Sequence, residues 1–149
     1  MDLYWLHAWD FTTPMEEVMR ALDDMVRAGK ILYIGVSDTP AWIVSRMNTI
    51  AELRGWTQFV GLQIKYSLLE RTVERKLLPM ARELDIAVTL WGALDGGILT
   101  GKYNKKKDEE GRAQMYESIS DEKLAVAEEV MKVAEEIGKT PSQVALNWV

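Results

Sequence analysis

The sequence predicts an α/β fold, a partial (half) TIM-type (β/α) barrel with about four parallel strands and flanking helices. Three observations lead there. Short apolar segments recur at Leu3 to Trp9, Ile31 to Ser37, Phe59 to Ser67 and Ala87 to Trp91, with first residues 28 positions apart each time. Amphipathic helical patterns separate them, and connections of that length join parallel strands, because a parallel crossover needs a dozen or more residues. The unit repeats without the change in connection length that marks a reversal of strand order, which favours barrel winding over an open sheet. A closed barrel takes eight strands and roughly 250 residues, so four strands make half of one.

The helices follow from their ends. Thr13 precedes Pro14, Glu16 completes a capping-box pattern, and Met15, Val18, Met19, Leu22, Met25 and Val26 keep helical spacing up to Gly29. The second helix opens at Thr39-Pro40, carries Ile43, Val44, Met47, Ile50 and Ala51 on one face, and stops at Gly55. The third runs from about Thr72 to Leu84, where Pro79 predicts a kink or a late restart. After the fourth strand, Gly96-Gly97-Ile98-Leu99-Thr100-Gly101-Lys102-Tyr103 leads into a polar stretch, Asn104 to Tyr116, read as a long mobile loop. Ser120 starts a strong helix that ends before Gly138, and Thr140-Pro141-Ser142-Gln143 is a second capping box.

Composition narrows the function. The 149 residues hold 18 Lys plus Arg against 23 Asp plus Glu, a formal charge of −5, one His and no Cys. The length suits one domain, 1–149, and 48% hydrophobic content suits a packed core. The negative balance disfavours nucleic acid and anionic membrane as partners. A single His and zero Cys exclude disulfides, thiol nucleophiles and multi-histidine or thiolate metal sites. The start has no basic segment and no apolar run reaches ~18 residues, so the expected location is the cytoplasm.

Chemistry in α/β folds gathers at the carboxyl ends of the strands. There stand His7, Ser37-Asp38, Gln63 with Tyr66, and Trp91-Gly92. A neutral His7 can donate to a carbonyl oxygen gaining negative charge, or it can be a core histidine with a satisfied ring. Ser37-Asp38 can serve a ligand or cap the second helix. Gln63 breaks an apolar run, and a buried amide must find partners. Trp91 and Tyr66 are stacking platforms or plain core aromatics. Gly96, Gly101 and Lys102 match the spacing G-x-x-x-x-G-K, but Tyr103 replaces the Ser or Thr that holds Mg²⁺, which excludes a nucleotide triphosphatase. Glycines that let backbone amides approach a diphosphate remain, with Lys102 adding charge.

The order of these segments resembles the aldo-keto reductases, NAD(P)H-dependent oxidoreductases on a (β/α)8 barrel. The resemblance rests on Asp2-Leu3-Tyr4-Trp5-Leu6-His7 leading to Asp10 and Thr13-Pro14, then Ala28-Gly29-Lys30-Ile31-Leu32-Tyr33-Ile34-Gly35-Val36-Ser37. Further along it rests on Gln63-Ile64-Lys65-Tyr66-Ser67-Leu68-Leu69-Glu70-Arg71, Trp91 through Leu99-Thr100-Gly101-Lys102-Tyr103, and Thr140 to Val149. They span the whole chain, from the family's fourth strand to the start of its last helices.

By this resemblance, His7 matches the catalytic histidine that orients the substrate carbonyl, and Ser37 and Asp38 fall where a Ser-Asn pair holds the nicotinamide carboxamide. Asp38 is a departure that swaps an amide for an acceptor-only carboxylate. Gln63 matches the glutamine binding the same carboxamide, and Trp91 the aromatic that stacks on the nicotinamide. The segment from Gly92 to Gly101 falls at the loop around the pyrophosphate, with Gly92, Leu94, Gly96, Leu99, Gly101 and Lys102 as contact positions. Asp95 is a second departure where glycine is common, and its charge is expected to repel a diphosphate. The implied cofactor is NADP(H), weakly bound, with no metal.

The family's first three strands supply a catalytic Asp, a Tyr proton donor and a Lys, and this chain matches none of them. The expectation is a relative of the carbonyl (aldehyde or ketone) reductases that is inactive or very weak alone. The alternatives are an active oxidoreductase assembled as an oligomer or with a partner, or a non-catalytic binding or structural module. Strand edges along Leu3 to Trp9 and Ala87 to Trp91, with apolar Trp5, Trp9 and Trp91, predict a homodimer.

Overall fold

Four parallel strands, β1 (Leu3–His7), β2 (Tyr33–Ser37), β3 (Phe59–Lys65) and β4 (Ala87–Trp91), form one sheet in sequence order, as half a TIM-type barrel requires. The computed structural model describes residues 1–105, 111–115 and 119–149. They form two units, Met1–Ile64 with Thr72–Thr89, and Lys65–Arg71 with Leu90–Val149.

In the first unit, β1 is shorter than its apolar run because Ala8 adopts φ 60°, which ends the strand and takes Trp9 out of the alternation. Trp9 is buried, and Trp5 lies against Gly35 and Gly61, so neither is the exposed edge surface expected of them. Exposed apolar surface lies instead at Leu3, Tyr4, Phe11 and Tyr33.

Helix α1 (Met15–Arg27) starts without a side-chain cap. Thr13 donates its hydroxyl to Asp10 Oδ2 at 2.6 Å, and Asp10 Oδ1 accepts from the amides of Thr12 and Thr13 at 2.9 and 3.0 Å, so Asp10 organises the turn and Thr13 does not cap. The Thr13 hydroxyl, then the amides of Thr13 and Thr12, hold the Asp10 carboxyl well below the usual carboxylate range. Helix α2 (Ala41–Arg54) ends as predicted at Gly55, which takes the left-handed φ of 65°.

Met19 and Leu22 of α1, Ile43, Val44 and Met47 of α2, Ile34 and Val36 of β2 and Leu62 of β3 are buried. Asp23 is buried among these helices, a polar residue in a helix read from its apolar stripe. Between β3 and β4, a 3-10 turn (Thr72–Arg75) precedes α3 (Leu77–Glu83). Pro79 falls in its first turn, where the missing N–H has no intrahelical partner to lose.

The second unit holds a 3-10 segment (Asp95–Thr100), α4 (Lys102–Lys105), a 3-10 turn (Arg112–Met115), α5 (Asp121–Glu136) and α6 (Pro141–Trp148). The stretch read as a loop from Asn104 to Tyr116 thus begins inside α4 and contains a helical turn; residues 106–110 and 116–118 lie outside the described residues. Ser120 accepts from the Lys123 amide at 3.3 Å to cap α5. The capping box of α6 is complete, with Gln143 N donating to Thr140 Oγ1 at 3.2 Å and Thr140 N to Gln143 Oε1 at 2.9 Å. Leu99, Val130 and Ala145 form one core cluster here, and Ile98, Tyr103, Ala113 and Ala127 another. Among the described residues no helix is long and apolar enough to cross a membrane.

Candidate functional site

Strand register makes the first group of site residues. Trp5 pairs with Gly35, and Gly35 with Gly61; two residues on, His7 pairs with Ser37, and Ser37 with Gln63. Residues two apart on a strand share a face, so a polar row stands directly above a row of one tryptophan and two glycines. An irregularity at Val60 sets this register, because Ile34 faces Phe59 whereas Gly35 faces Gly61. Without the extra residue Ser37 would face Leu62, and Gln63 would leave the row. The glycines are needed for space, since a Cβ on Gly35 would overlap the Trp5 ring and one on Gly61 would come within 2.9 Å of it.

Within the row the environments differ sharply. His7 ends β1 with its side chain 72% exposed, so it is not a buried core histidine; its Nε2 lies 3.8 Å from Asp38 Oδ2. Asp38 follows β2 with φ 42°, in the left-handed region that Asp tolerates better than most residues. Ser37 is 1% exposed, and its Oγ has no hydrogen-bond partner. Neither residue caps α2: Pro40 precedes that helix without a side-chain cap, and Thr39 Oγ1 donates to the Ser37 carbonyl at 2.8 Å. A buried hydroxyl without a partner costs ~1–3 kcal/mol, so its hydrogen-bonding capacity is left unused by the fold. Gln63 is half-buried. An orphaned hydroxyl beside a primary amide suits a carboxamide, which both donates and accepts, and the residues present therefore fit a nicotinamide.

The second group follows β4. Trp91 ends that strand, 43% exposed rather than in the core, and its carbonyl accepts from the Tyr66 amide at 3.2 Å. Tyr66 packs against Trp148, ring centroids 5.4 Å apart. The next residues turn tightly: Gly92, Gly96, Gly97 and Gly101 all take positive φ, as does Asp95 at 44°. Amides of Asp95, Gly97 and Gly101 donate within the loop, to Gly92, Leu94 and Ile98, and Thr100 Oγ1 donates to the Gly97 carbonyl at 2.7 Å. Leu94 packs on the core cluster to which Leu99 belongs, so these two side chains serve the core. Gly101 takes φ 76°, and a Cβ there would also displace the Met131 side chain of α5, so glycine is favoured on both counts. Lys102 Nζ lies 4.7 Å from the Tyr103 ring centroid.

Asp95 departs furthest from its expected behaviour. It is buried, with Lys65 Nζ 3.4 Å from Oδ1 and Lys123 Nζ 3.2 Å from Oδ2. Its charge is thereby neutralised at short range, which removes the physical basis for repelling a diphosphate. Sequence reasoning missed both lysines. They lie 30 and 28 positions from Asp95 on different elements, and no spacing rule links them. Among the described residues no group of three or more His, Cys, Asp or Glu side chains is placed to hold a metal.

Comparison with known proteins identifies a family. The aldo/keto reductase family matches residues 1–149. The chain is similar to an aldo-keto reductase of Aspergillus calidoustus, 41% identical over 119 residues, covering 78% of this chain and 30% of that protein. A putative aryl-alcohol dehydrogenase of Saccharomyces cerevisiae is 39% identical over 140 residues, 86% of this chain and 49% of the relative. A norsolorinic acid reductase of Aspergillus flavus is 46% identical over 97 residues, 65% of this chain and 25% of the relative. The chain thus spans from about a quarter to about half of these relatives. With four parallel strands alternating with helices, a polar row at their carboxyl ends and a match along its full length, this chain belongs to the aldo/keto reductase family.

Proposed function

We propose that this chain carries the nicotinamide and carbonyl side of an NAD(P)H-dependent aldehyde or ketone reductase. The observation that carries the reading is the Ser37 hydroxyl, buried and without a partner, between His7 and Gln63 in one strand row. A bound reduced nicotinamide supplies the hydride that such a reduction consumes. Ser37 and Gln63 have the donors and acceptors to hold a carboxamide, and Asp38 adds an acceptor. Exposed His7 can donate from its ring to a carbonyl oxygen and favour negative charge there. In the second unit, Trp91 is exposed for stacking, and the loop from Gly92 to Gly101 is the segment proposed to run along a diphosphate.

No tyrosine in the first unit takes the proton-donor place beside His7. Tyr4 is an odd number of residues away and points to the other sheet face, and Tyr33 begins β2. A positioned acid contributes ~10²–10⁴-fold, so these 149 residues alone are expected to turn over negligibly. A second copy or a partner would supply the donor. We propose a homodimer through the outer edge of β1, where Leu3 and Tyr4 are exposed. Sedimentation is expected to give about twice the 17.0 kDa chain mass, and a monomer across the micromolar range would reject it.

Ser37→Ala tests the functional reading through a split. Removing a buried hydroxyl that has no partner leaves thermal stability unchanged or slightly raised, whereas losing one hydrogen bond to the cofactor raises the NADPH dissociation constant about three- to tenfold. NADPH fluorescence titration with a parallel melt reads both. A variant less stable than wild type and equal in affinity would show that the hydroxyl serves the fold.

A further inference from the structure

Lys65 and Lys123 converge on one buried carboxylate in the second unit. Lys65, the last residue of β3, runs its stem beside Gly92, where an added Cβ would meet Lys65 Cγ at 3.3 Å. Its ammonium lies 5.7 Å from the Trp91 ring centroid and 3.4 Å from Asp95 Oδ1. Lys123 reaches the other carboxylate oxygen at 3.2 Å from the first turn of α5. The Asp95 amide donates to the Gly92 carbonyl at 2.8 Å, so the residue gripped by both lysines also closes the turn that opens the loop.

A lone Asp95 would repel a diphosphate, whereas an Asp95 paired with two lysines is compensated and fixed in place. We propose that Asp95 is a positioning residue, which clamps the loop from Gly92 to Gly101 through Lys65 and Lys123 in the form that takes the cofactor diphosphate. The clamp rests on the cofactor reading above for its diphosphate, but not for its effect on the loop.

Asp95→Asn in the full chain, which keeps shape and removes charge, decides the sign. The expected result is about tenfold weaker binding of NADPH and of ADP-ribose, with binding of reduced nicotinamide mononucleotide, which has no diphosphate, changed less than twofold. Without any nucleotide, amide hydrogen exchange across Gly96 to Gly101 is expected to rise about tenfold, and Asp95→Glu to recover part of both effects. Lys123→Met removes one arm from a partly exposed position and should shift the same readouts less far, which keeps the test decisive should Asp95→Asn fail to fold. Tighter NADPH binding by Asp95→Asn would overturn the proposal in favour of simple repulsion, as would unchanged exchange in the loop. Wild-type protein that binds no NADPH, with the exchange contrast intact, would overturn the cofactor reading and support the clamp.

Discussion

Gly35→Val is expected to be the most damaging single substitution in the first unit, costing about 3 kcal/mol and lowering the melting temperature by roughly 6–12 °C. The Trp5 ring lies so close to Gly35 that even one Cβ would overlap it, and Gly61 limits the ring from the next strand. Neither neighbour can yield cheaply. Gly35 is central in a paired strand, so its backbone cannot retreat without breaking the ladder to β1 or β3. The ring therefore has to move, and the polar row of His7, Ser37 and Gln63 stands directly above it, so cofactor affinity should fall along with stability. Thermal melts of a double-mutant cycle check the cause. On a Trp5→Ala background, Gly35→Ala is expected to be close to neutral, and an equal cost on both backgrounds would show that something other than the ring is responsible.

Asp23→Ala is expected to cost about 2–3 kcal/mol. Asp23 Oδ1 accepts from the Thr57 amide at 2.9 Å and the Thr57 hydroxyl at 3.0 Å, and Oδ2 accepts from Arg27 Nε at 2.5 Å. Arg27 in turn donates to the Gly55 carbonyl at 2.9 Å. This one carboxylate thus ties α1 to the segment between α2 and β3, and its loss strands the Thr57 amide. The pH dependence has a definite sign. Burial by itself would raise the Asp23 pKa, but the Arg27 and Thr57 hydrogen bonds outweigh burial and hold it below the ordinary value. Below about pH 4, the ordinary aspartate range, the unfolded chain takes up a proton that the folded chain still refuses. The stability due to Asp23 is therefore complete above that range and is lost as pH falls through the lowered folded value. Urea denaturation between pH 7 and pH 3 should show a shallower decline for Asp23→Ala than for wild type, and parallel curves would assign the buried carboxylate no share in acid sensitivity.

Much of this was legible from sequence because the responsible physics is local. The four apolar segments and the capping box at Thr140-Gln143 depend on neighbours within one or two turns, and the box appears where the pattern placed it; the strands begin 30, 26 and 28 positions apart, because β2 starts at Tyr33 and not at Ile31. Local reasoning failed where one pattern allows more than one hydrogen-bond arrangement. Thr13 looks like a helix cap, yet Asp10 takes its hydroxyl; Ser37-Asp38 precedes a helix, yet the helix leaves both uncapped. His7 and Trp91 had buried readings on pattern alone, and both are exposed at strand ends.

By itself the sequence determined the class of fold, the direction and order of the strands, and the residue types available at their carboxyl ends, since periodicity and connection length suffice for these. Tertiary structure decided which of those residues stand together and in what charge state. The extra residue at Val60 moves Gln63 into line with Ser37, a register choice that only strand pairing can make. Two lysines from remote elements turn Asp95 from a repelling charge into a compensated one. Both outcomes depend on Coulomb and hydrogen-bond contacts of a few ångströms between residues some thirty positions apart. Contacts of that kind exist only after the chain has folded, so they leave no periodicity in the sequence to read.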